Sequence, residues 1–370
     1  MYIEIVRPAD QRLSASVAAD FNFLSPEYRA LFAASGATAF QSPLWLHSLY
    51  AVLARGMDAR PHVVTLRDRA GRLRMVIPLV LQRAAGVGIL QPADLGVSDY
   101  NAIVAERATL EQAASDPDLV AQIRKCLEPG DVLIYRKIQR CPKAVAAILG
   151  GTETLNDNAG YELALGVGTF DEWQKTVLKK KFRNGIRRKL QGLQEAHGKV
   201  ESVTFTEEAD IKRAIRFIRD LRTARFCDDI LHNDAYLAFY TRVAVMGAES
   251  GEAVTSGLLV DGELVSADFG IVNDNAHHAI LCASRIDEYG HYSPGLQSLF
   301  AMIRRSHEHG RARFDFGIGK TRQKSDFGST EIPLYNLTVA RSIKGKAVSL
   351  VYNQAKPLKT LLRRFDPRIR

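Results

Sequence analysis

Residues 253–295 read AVTSGLLVDGELVSADFGIVNDNAHHAILCASRIDEYGHYSPG, and this stretch decides the fold. Three apolar runs in it predict strands: Ala253 to Val260, Glu263 to Val272 and His277 to Ile286. An Asp-Gly pair and an Asn-Asp-Asn triplet separate these runs and are typical of hairpin turns. The stretch therefore predicts an antiparallel meander.

A helix is predicted to follow the meander, from Ser293 to His309. Ser293 suits the N-cap, Pro294 suits the first helical position and Gly310 suits the residue after the helix. Arg313 to Gly317 predicts one more strand. An antiparallel meander that leads through a helix into a further strand is typical of an α+β fold.

The first half of the chain repeats this order of elements. After an opening strand at Tyr2 to Val6 come helices, several strands, a helix and two more strands. We therefore predict two tandem domains, each a mostly antiparallel sheet flanked by helices, at residues 1–168 and 169–345. A basic tail follows at residues 346–370, and the length of 370 residues suits two domains.

The net charge of +9 is concentrated in two segments. Lys175 to Lys189 holds eight basic residues and no acid, and Arg341 to Arg370 holds nine basic residues and one acid. The remainder of the chain is acidic, which favours local anion sites over a broad duplex-binding face. We expect no DNA partner.

Cysteine spacing and the N-terminal sequence exclude other classes. The four cysteines, Cys126, Cys141, Cys227 and Cys282, form no C-x-x-C pair and no pattern typical of zinc, so no metal is expected. Residues 1–10 lack the apolar core of a signal peptide, and no apolar run is long enough to span a bilayer. We expect a cytoplasmic protein.

Several motifs resemble a known family. The segments YGHYSPGLQSL (289–299), FDFGIG (314–319) and KSDF (324–327) resemble the FemAB-related, cellulose-biosynthesis type of Gcn5-related N-acetyltransferase, or GNAT, protein. FQSPLW (40–45) and GVSDYN (96–101) are similar to motifs of the same family. A basic helix is predicted from Glu172 to about Ala196, and FRNGIRRK (182–189) within it resembles the basic helix that opens the second domain of the FemAB peptidyltransferases. The resemblance covers about residues 2 to 345.

The resemblance implies an acyltransferase of tandem GNAT-like domains. The donor would be acetyl-CoA or another acyl-CoA, and the acceptor a sugar, nucleotide-sugar or lipid-linked precursor of an envelope polysaccharide or exopolysaccharide, as in holdfast synthesis. Two alternatives stay open. One is aminoacyl transfer from a charged tRNA, as in FemAB proteins, and the other is a non-catalytic module that senses a nucleotide.

The predicted cofactor site is the start of the helix after the meander. Unpaired backbone N–H groups and the helix dipole favour an anion there, so Ser293, Pro294, Gly295 and Gln297 are expected to bind the pyrophosphate of coenzyme A. The alternative is that Ser-Pro-Gly only caps the helix.

Three residues are candidates for the chemistry of transfer. Asp315 lies between two phenylalanines of a strand and is predicted to face the cleft as a general base; otherwise it is a structural carboxylate paired with Arg313 or Lys324. His291 is a second candidate base, or a solvated loop residue. Tyr292 is a candidate acid for the leaving thiolate, or a packing residue.

The acceptor is expected to contact both halves of the chain. Asp99 and Tyr100 follow a strand of the first half, where Asp99 could instead stabilise a turn. Arg187 of the basic helix and Lys324 are the other candidates, and a solvated charged face is the alternative for Arg187.

The tail predicts a regulatory element. Leu358, Leu361, Leu362 and Phe365 form one apolar stripe of a basic amphipathic helix, which suits an anionic inner-membrane surface. Four charged residues there resemble elements that bind cyclic di-GMP: Arg363, Arg364, Asp366 and Arg368. Packing of this helix on the protein is the third possibility.

Overall fold

The fold was obtained as a computed structural model, which describes residues 13–84, 86–273 and 275–350. The predicted strand at Tyr2 to Val6 and the predicted tail helix lie outside the described residues. The chain divides into two compact units. Unit 1 contains the described residues up to Asn156 and those from Leu334 onward, and unit 2 is Asp157–Pro333.

The strands, in chain order, are β1 (Ser14–Ala18), β2 (Arg60–Arg67), β3 (Leu73–Ala84), β4 (Val87–Pro92), β5 (Val104–Ala105), β6 (Val132–Ile138), β7 (Thr154–Leu155), β8 (Gly160–Ala164), β9 (Val200–Phe205), β10 (Ala253–Val260), β11 (Glu263–Val272), β12 (Ala276–Ser284), β13 (Arg313–Ile318), β14 (Thr330–Ile332) and β15 (Tyr335–Ala340). The helices are α1 (Pro26–Ala34), α2 (Pro43–Ser48), α3 (Ala54–Gly56), α4 (Arg107–Ser115), α5 (Pro117–Cys126), α6 (Pro142–Leu149), α7 (Phe170–Val177), α8 (Lys180–His197), α9 (Glu208–Arg225), α10 (Asp234–Ser250), α11 (Ile286–Tyr289), α12 (Pro294–Glu308) and α13 (Arg322–Asp326). The meander and the helix predicted from residues 253–295 are present as β10, β11, β12 and α12.

Both units are built around one mixed sheet. The order in unit 1 is β1-β2-β3-β4-β6-β15-β7, with β5 beside β3, and in unit 2 it is β14-β8-β13-β12-β11-β10-β9. Each sheet is antiparallel except for one parallel pair, β4 with β6 and β12 with β13. A helical crossover joins each parallel pair, as parallel strands require. The predicted α+β fold of two sheets flanked by helices is confirmed.

The predicted domain boundaries differ from those of the two units. β8 was expected in the N-terminal domain but pairs with β13 and β14 of unit 2. β15 was expected in the C-terminal domain but pairs with β6 and β7 of unit 1. Each sheet is therefore completed by a strand that sequence order had assigned to the other domain.

The basic helix predicted from Glu172 to about Ala196 is broken in two. Leu178 is buried and has an extended backbone, with φ −94° and ψ 136°, so α7 ends before it and α8 begins after Lys179. Burial of Leu178 in the apolar core of unit 2, beside Trp173 and Phe327, explains the break. The core of unit 1 forms between its sheet and helices α4, α5 and α6.

Candidate active site

A pocket of about 720 Å³ lies in unit 2 where β12 and β13 separate. The two strands pair in parallel only from Ala276 to His278 on β12, and the rest of β12 extends without pairing to β13. The pocket is lined mainly by the second half of β12, the start of α12, Phe316 of β13 and helix α13. A ligand arm can therefore enter between two strands of one sheet.

A bulge in β12 faces this pocket. Phe269 of β11 pairs with Leu281, and Gly270 pairs with Ala279, so the ladder passes over Ile280. Ile280 lines the pocket. A bulge leaves a residue outside the regular ladder and re-aims its neighbours, which is why bulges are frequent beside active sites.

Ser293, Pro294 and Gly295 line the pocket, as predicted for the cofactor site. Ser293 was expected to cap α12 with its side chain, but its backbone is left-handed, with φ 53° and ψ 61°, and its hydroxyl makes no capping hydrogen bond. Gly295 lies close to β12, since a Cβ there would come within 3.1 Å of the Ser284 hydroxyl. The start of α12 therefore lies against the end of β12 that does not pair with β13.

The basic helix α8 packs beside the start of α12. Lys189 donates from Nζ to the Ser293 hydroxyl at 2.6 Å. Gln297, predicted to bind cofactor, instead donates from Nε2 to the backbone carbonyl of Ile186 at 3.0 Å. Gln297 therefore connects α8 to α12. Lys189 adds a positive charge at the start of α12, where the sequence had predicted an anion site formed by backbone N–H groups alone.

The corresponding place in unit 1 has a different electrostatic character. Helix α5, which precedes β6, is capped by Asp116, whose carboxylate accepts from the backbone N–H groups of Asp118 and Leu119. The carboxylate occupies the position that an external anion would take and also repels one. Unit 2, whose α12 start lacks a side-chain cap, is the better anion site of the two.

Asp268 of β11 is the buried carboxylate that lines the pocket. It is 1% exposed and accepts a hydrogen bond from the Ser298 hydroxyl of α12. Burial raises the pKa of Asp268 to about 7, against the opposing effects of Ser298 and the Arg305 charge. The sequence signal for it is an acid in the interior of the apolar run of β11.

Asp315, the predicted base, lies on the other face of the sheet. Phe316 lines the pocket, and because successive residues of a strand point to opposite faces, the adjacent Asp315 points away. Its Oδ1 accepts from the Gly317 N–H at 2.6 Å, and its Oδ2 lies 3.3 Å from Nδ1 of His278. The expectation that Asp315 faces the cleft is therefore corrected.

His291 and Tyr292 precede α12 but do not line the pocket. His291 is exposed. The Tyr292 ring packs edge-on against His197 of α8, with 5.4 Å between ring centroids. The packing role weighed for Tyr292 agrees with this position.

Two of the predicted acceptor residues lie in unit 2. Lys324 of α13 lines the pocket and donates from Nζ to the carbonyls of Gly317 and Ile318 at 3.0 and 2.9 Å. The Lys324 ammonium also lies 5.3 Å from the centre of the Tyr161 ring. Arg187 is exposed on α8.

The other predicted acceptor residues lie in unit 1. Tyr100 is fully buried against Phe40, and its carbonyl accepts from Nε2 of Gln41. Asp99 is half-buried. The predicted regulatory residues Arg363, Arg364, Asp366 and Arg368 lie outside the described residues.

No group of three or more metal-ligating side chains that could hold an ion occurs among the described residues. In the same part of the chain, no helix combines the length and the apolar character needed to cross a bilayer.

Comparison with known proteins places this geometry in a fold family. Residues 180–325 match the family model of the acetyltransferase (GNAT) domain. No curated protein matches the sequence. Among solved structures, the chain is similar to FemX, with a TM-score of 0.60, 10% identity and coverage of 86% of this chain and 96% of FemX.

Two further structures cover almost the whole of both chains. A tandem GNAT protein from the clavulanic acid biosynthesis pathway gives a TM-score of 0.51 at 11% identity, over 89% of this chain and 98% of that one. A conserved protein of unknown function from Bacteroides thetaiotaomicron gives 0.57 at 13% identity, over 87% and 99%. The chain has the tandem GNAT fold, and its match to the acetyltransferase (GNAT) domain falls on the unit that contains the pocket.

Proposed function

We propose that unit 2 is an acyltransferase that moves an acyl group from an acyl-CoA thioester to an amine or hydroxyl. The observation that carries the proposal is the pocket between β12 and β13, which ends at the uncapped start of α12 beside Lys189. Backbone N–H groups, the helix dipole and the Lys189 charge together suit the pyrophosphate of coenzyme A.

The thioester then lies beside β12. The pantetheine arm enters between the separating strands, along Ala279, Ile280 and Leu281. We assign a backbone N–H at the Ile280 bulge to the thioester oxygen, where a fixed donor stabilises the negative charge that develops during attack. Apolar lining from Phe182 and Phe316 excludes water from this part of the pocket.

Asp268 is assigned as the general base. The acceptor nitrogen or oxygen attacks the thioester carbon, a C–N or C–O bond forms, the C–S bond breaks, and Asp268 takes the acceptor proton. A carboxyl pKa of about 7 suits this role near neutral pH. We prefer Asp268 to Asp315 and His291 because neither of these two lines the pocket.

The acceptor in this proposal is a sugar of an envelope polysaccharide or exopolysaccharide precursor. Lys324 lies in the pocket, and Arg187 on the exposed face of α8 suits the phosphates of a nucleotide-sugar or lipid carrier. Asp99, which is half-buried, stays a proposed acceptor residue of unit 1, whereas the predicted partner Tyr100 is fully buried and its side chain cannot contact an acceptor. Acetyl transfer to glucosamine and to its nucleotide-linked form, followed by mass spectrometry, tests the acceptor class.

Protection of Cys282 tests the donor site directly. Cys282 is exposed and lines the pocket, whereas Cys141 is exposed in unit 1 and serves as the internal control. With acetyl-CoA present, maleimide labelling of Cys282, followed by peptide mass spectrometry, should slow several-fold while labelling of Cys141 stays constant. Equal labelling of Cys282 with and without acetyl-CoA would remove the proposed donor site.

A second candidate is transfer from an aminoacyl-tRNA. The fold similarity to FemX and the run of eight basic residues from Lys175 to Lys189 favour it. Under this alternative, tRNA binding should persist at physiological salt and fall in variants of Arg187 and Arg188, which are both exposed. Binding of tRNA that disappears at physiological salt supports the acyl-CoA proposal instead.

Regulation is proposed for the C-terminal tail. Arg363, Arg364, Asp366 and Arg368 are assigned to cyclic di-GMP, and the apolar stripe of the same segment to an anionic inner-membrane surface. Calorimetry with cyclic di-GMP on the full chain and on a variant with Arg364 and Arg368 changed to alanine tests the first part. Flotation with anionic and neutral vesicles tests the second.

A further inference from the structure

Three buried polar groups meet behind the pocket of unit 2. Oδ1 of Asp268, the hydroxyl of Ser256 and Nη1 of Arg305 each lack a hydrogen-bond partner among the described residues. Asp268 and Ser256 are 1% and 2% exposed, so solvent at the surface does not satisfy them. A buried polar atom without a partner destabilises the folded state, and three in one place call for an explanation.

The sheet register places these groups together. Ser256 of β10 is the direct cross-strand partner of Asp268 on β11, and residues opposite each other in an antiparallel pair share one face. Arg305 lies on α12, the helix whose Ser298 already contacts Asp268 from that face, and its charge acts on Asp268. One acceptor and two donors therefore surround the same small volume.

The polar groups continue from this volume toward the edge of the sheet. Ser256 is also the direct partner of Thr204 on β9, the edge strand, and Thr204 is exposed. Arg305 donates from Nη2 to the hydroxyl of Ser202, also exposed on β9, at 3.3 Å. Polar side chains thus lead from the pocket across β11 and β10 to solvent.

We propose that Asp268, Ser256 and Arg305 hold a water molecule that carries the reaction proton from the pocket to the outer edge of unit 2. The proposal rests on the proposed role of Asp268 as base. After Asp268 takes the acceptor proton, it passes that proton to the water, which releases one of its own to the Ser256 hydroxyl. Ser256 in turn releases its proton toward Thr204, so each group ends with the proton count with which it began.

The site is polar enough to hold such a water, because it offers one acceptor and two donors where two to four partners suffice. On the pocket side, the charged or titratable groups that face Asp268 are its cross-strand partner Cys282 on β12 and, across the pocket on α13, Arg322, Lys324 and Asp326. These groups belong to the ligand side, whereas Ser256 and Arg305 approach Asp268 from the edge-strand side. Ser256 and Arg305 act through Asp268 and are therefore positioning residues.

Infrared titration of the buried carboxyl in the full chain tests the proposal without any acceptor. The Asp268 band is identified by its loss in Asp268→Asn. Arg305→Gln should raise its titration midpoint by about one pH unit, since a nearby cation stabilises the carboxylate. Ser256→Ala should also raise the midpoint, because the water loses a donor that orients it toward the carboxylate.

Thr255→Val is the matched control. Its hydroxyl is also buried and lacks a hydrogen-bond partner among the described residues, but as the neighbour of Ser256 in β10 it lies on the opposite sheet face. It should leave the Asp268 midpoint unchanged. If Ser256→Ala does not fold, Ser256→Cys replaces it, a smaller change with a weaker donor.

The experiments distinguish failure of the water site from failure of Asp268 as the base. A wild-type midpoint in Ser256→Ala overturns the water site, whereas the Arg305→Gln shift checks only that the band belongs to a carboxyl beside Arg305. Full acyltransfer in Asp268→Asn overturns the role of Asp268 as base, and the proton route with it. A third outcome overturns the proton route alone. In it, Asp268→Asn is inactive, but Ser256→Ala keeps the wild-type turnover and the wild-type solvent isotope effect, so Asp268 stays the base.

Discussion

Asp268 concentrates the proposed chemistry in one side chain. Replacing it by asparagine keeps the size and removes the base, so kcat for acetyl transfer should fall about 100-fold or more. The matched control is Asp326→Asn, because Asp326 lines the same pocket but is exposed. Acetyl-CoA consumption measured on both variants checks this, and equal losses would mean that general pocket charge, not Asp268, is responsible.

The same residue predicts a pH dependence of folding. The folded pKa of Asp268, about 7, is above its ordinary value of 3.8, so the protonated form is favoured by folding. Its contribution to the free energy of unfolding is therefore full below pH 3.8 and is lost as pH rises through 7. Urea unfolding of wild type and Asp268→Asn from pH 4 to 8 should show wild type losing stability relative to the variant.

Gly270 tests how tightly the sheet packs behind the site. A Cβ at this position would overlap Nε2 of the His277 ring and lie 2.6 Å from the backbone oxygen of His278. His277 is buried, so the ring cannot swing into solvent. Gly270→Ala should lower the free energy of unfolding by about 1–3 kcal/mol, measured by urea unfolding. Gly185→Ala on helix α8, where a Cβ has open space, should not lower it and is the control.

At the residue scale, the sequence pointed to the pocket residues at the start of α12 but not to the buried carboxylate that lines the same pocket. Ser293-Pro294-Gly295 is a local signal, because turn and helix-start residues act on their own neighbours. Which carboxylate lines the pocket depends on which face of its strand meets the pocket. Asp315 and Asp268 both interrupt apolar strands, and only the positions of β13 and β11 in the sheet, together with α12, distinguish them.

At the scale of an element, helix α8 is expected to contribute to acetyl-CoA binding at the proposed donor site. Lys189 contacts the start of α12, so Lys189→Met should weaken acetyl-CoA binding about tenfold, the effect of roughly 1.4 kcal/mol. Lys181→Met removes an equal charge from an exposed position of the same helix and is the control. Calorimetry measures both, and equal weakening would indicate a general effect of charge rather than this contact.

Most elements were predictable because their signals are periodic or local. Apolar runs bounded by turns predicted β10, β11 and β12, and Pro294 at the first helical position predicted α12. The break between α7 and α8 was missed because the charged run continues through it. Only the burial of Leu178 in the tertiary core ends α7, and that burial is set by residues distant in sequence.

At the scale of the whole molecule, β8 and β15 each pair in the sheet of the unit on the other side of the predicted domain boundary. A chain that ends at Pro333 lacks β15 and leaves β6 without its neighbour, since β15 lies between β6 and β7. Such a chain should aggregate or melt at a lower temperature than one that ends at Leu350, which keeps β15. Size-exclusion chromatography and thermal circular dichroism compare the two, and identical melting would contradict the assigned pairing.

The duplication was visible in the sequence, but the strand assignment was not. The order of elements repeats along the chain, and repetition needs no knowledge of contacts. Pairing of β8 with β13 and of β15 with β6 is a long-range choice between edges of two similar sheets, and local sequence does not encode it.

The late position of β15 has a consequence for synthesis on the ribosome. Nascent proteins usually fold their N-terminal part first. Here unit 2 is continuous in the chain, from Asp157 to Pro333, while unit 1 waits for a strand translated after it. We expect unit 2 to reach its native state first, with the sheet of unit 1 held incomplete until β15 has been translated.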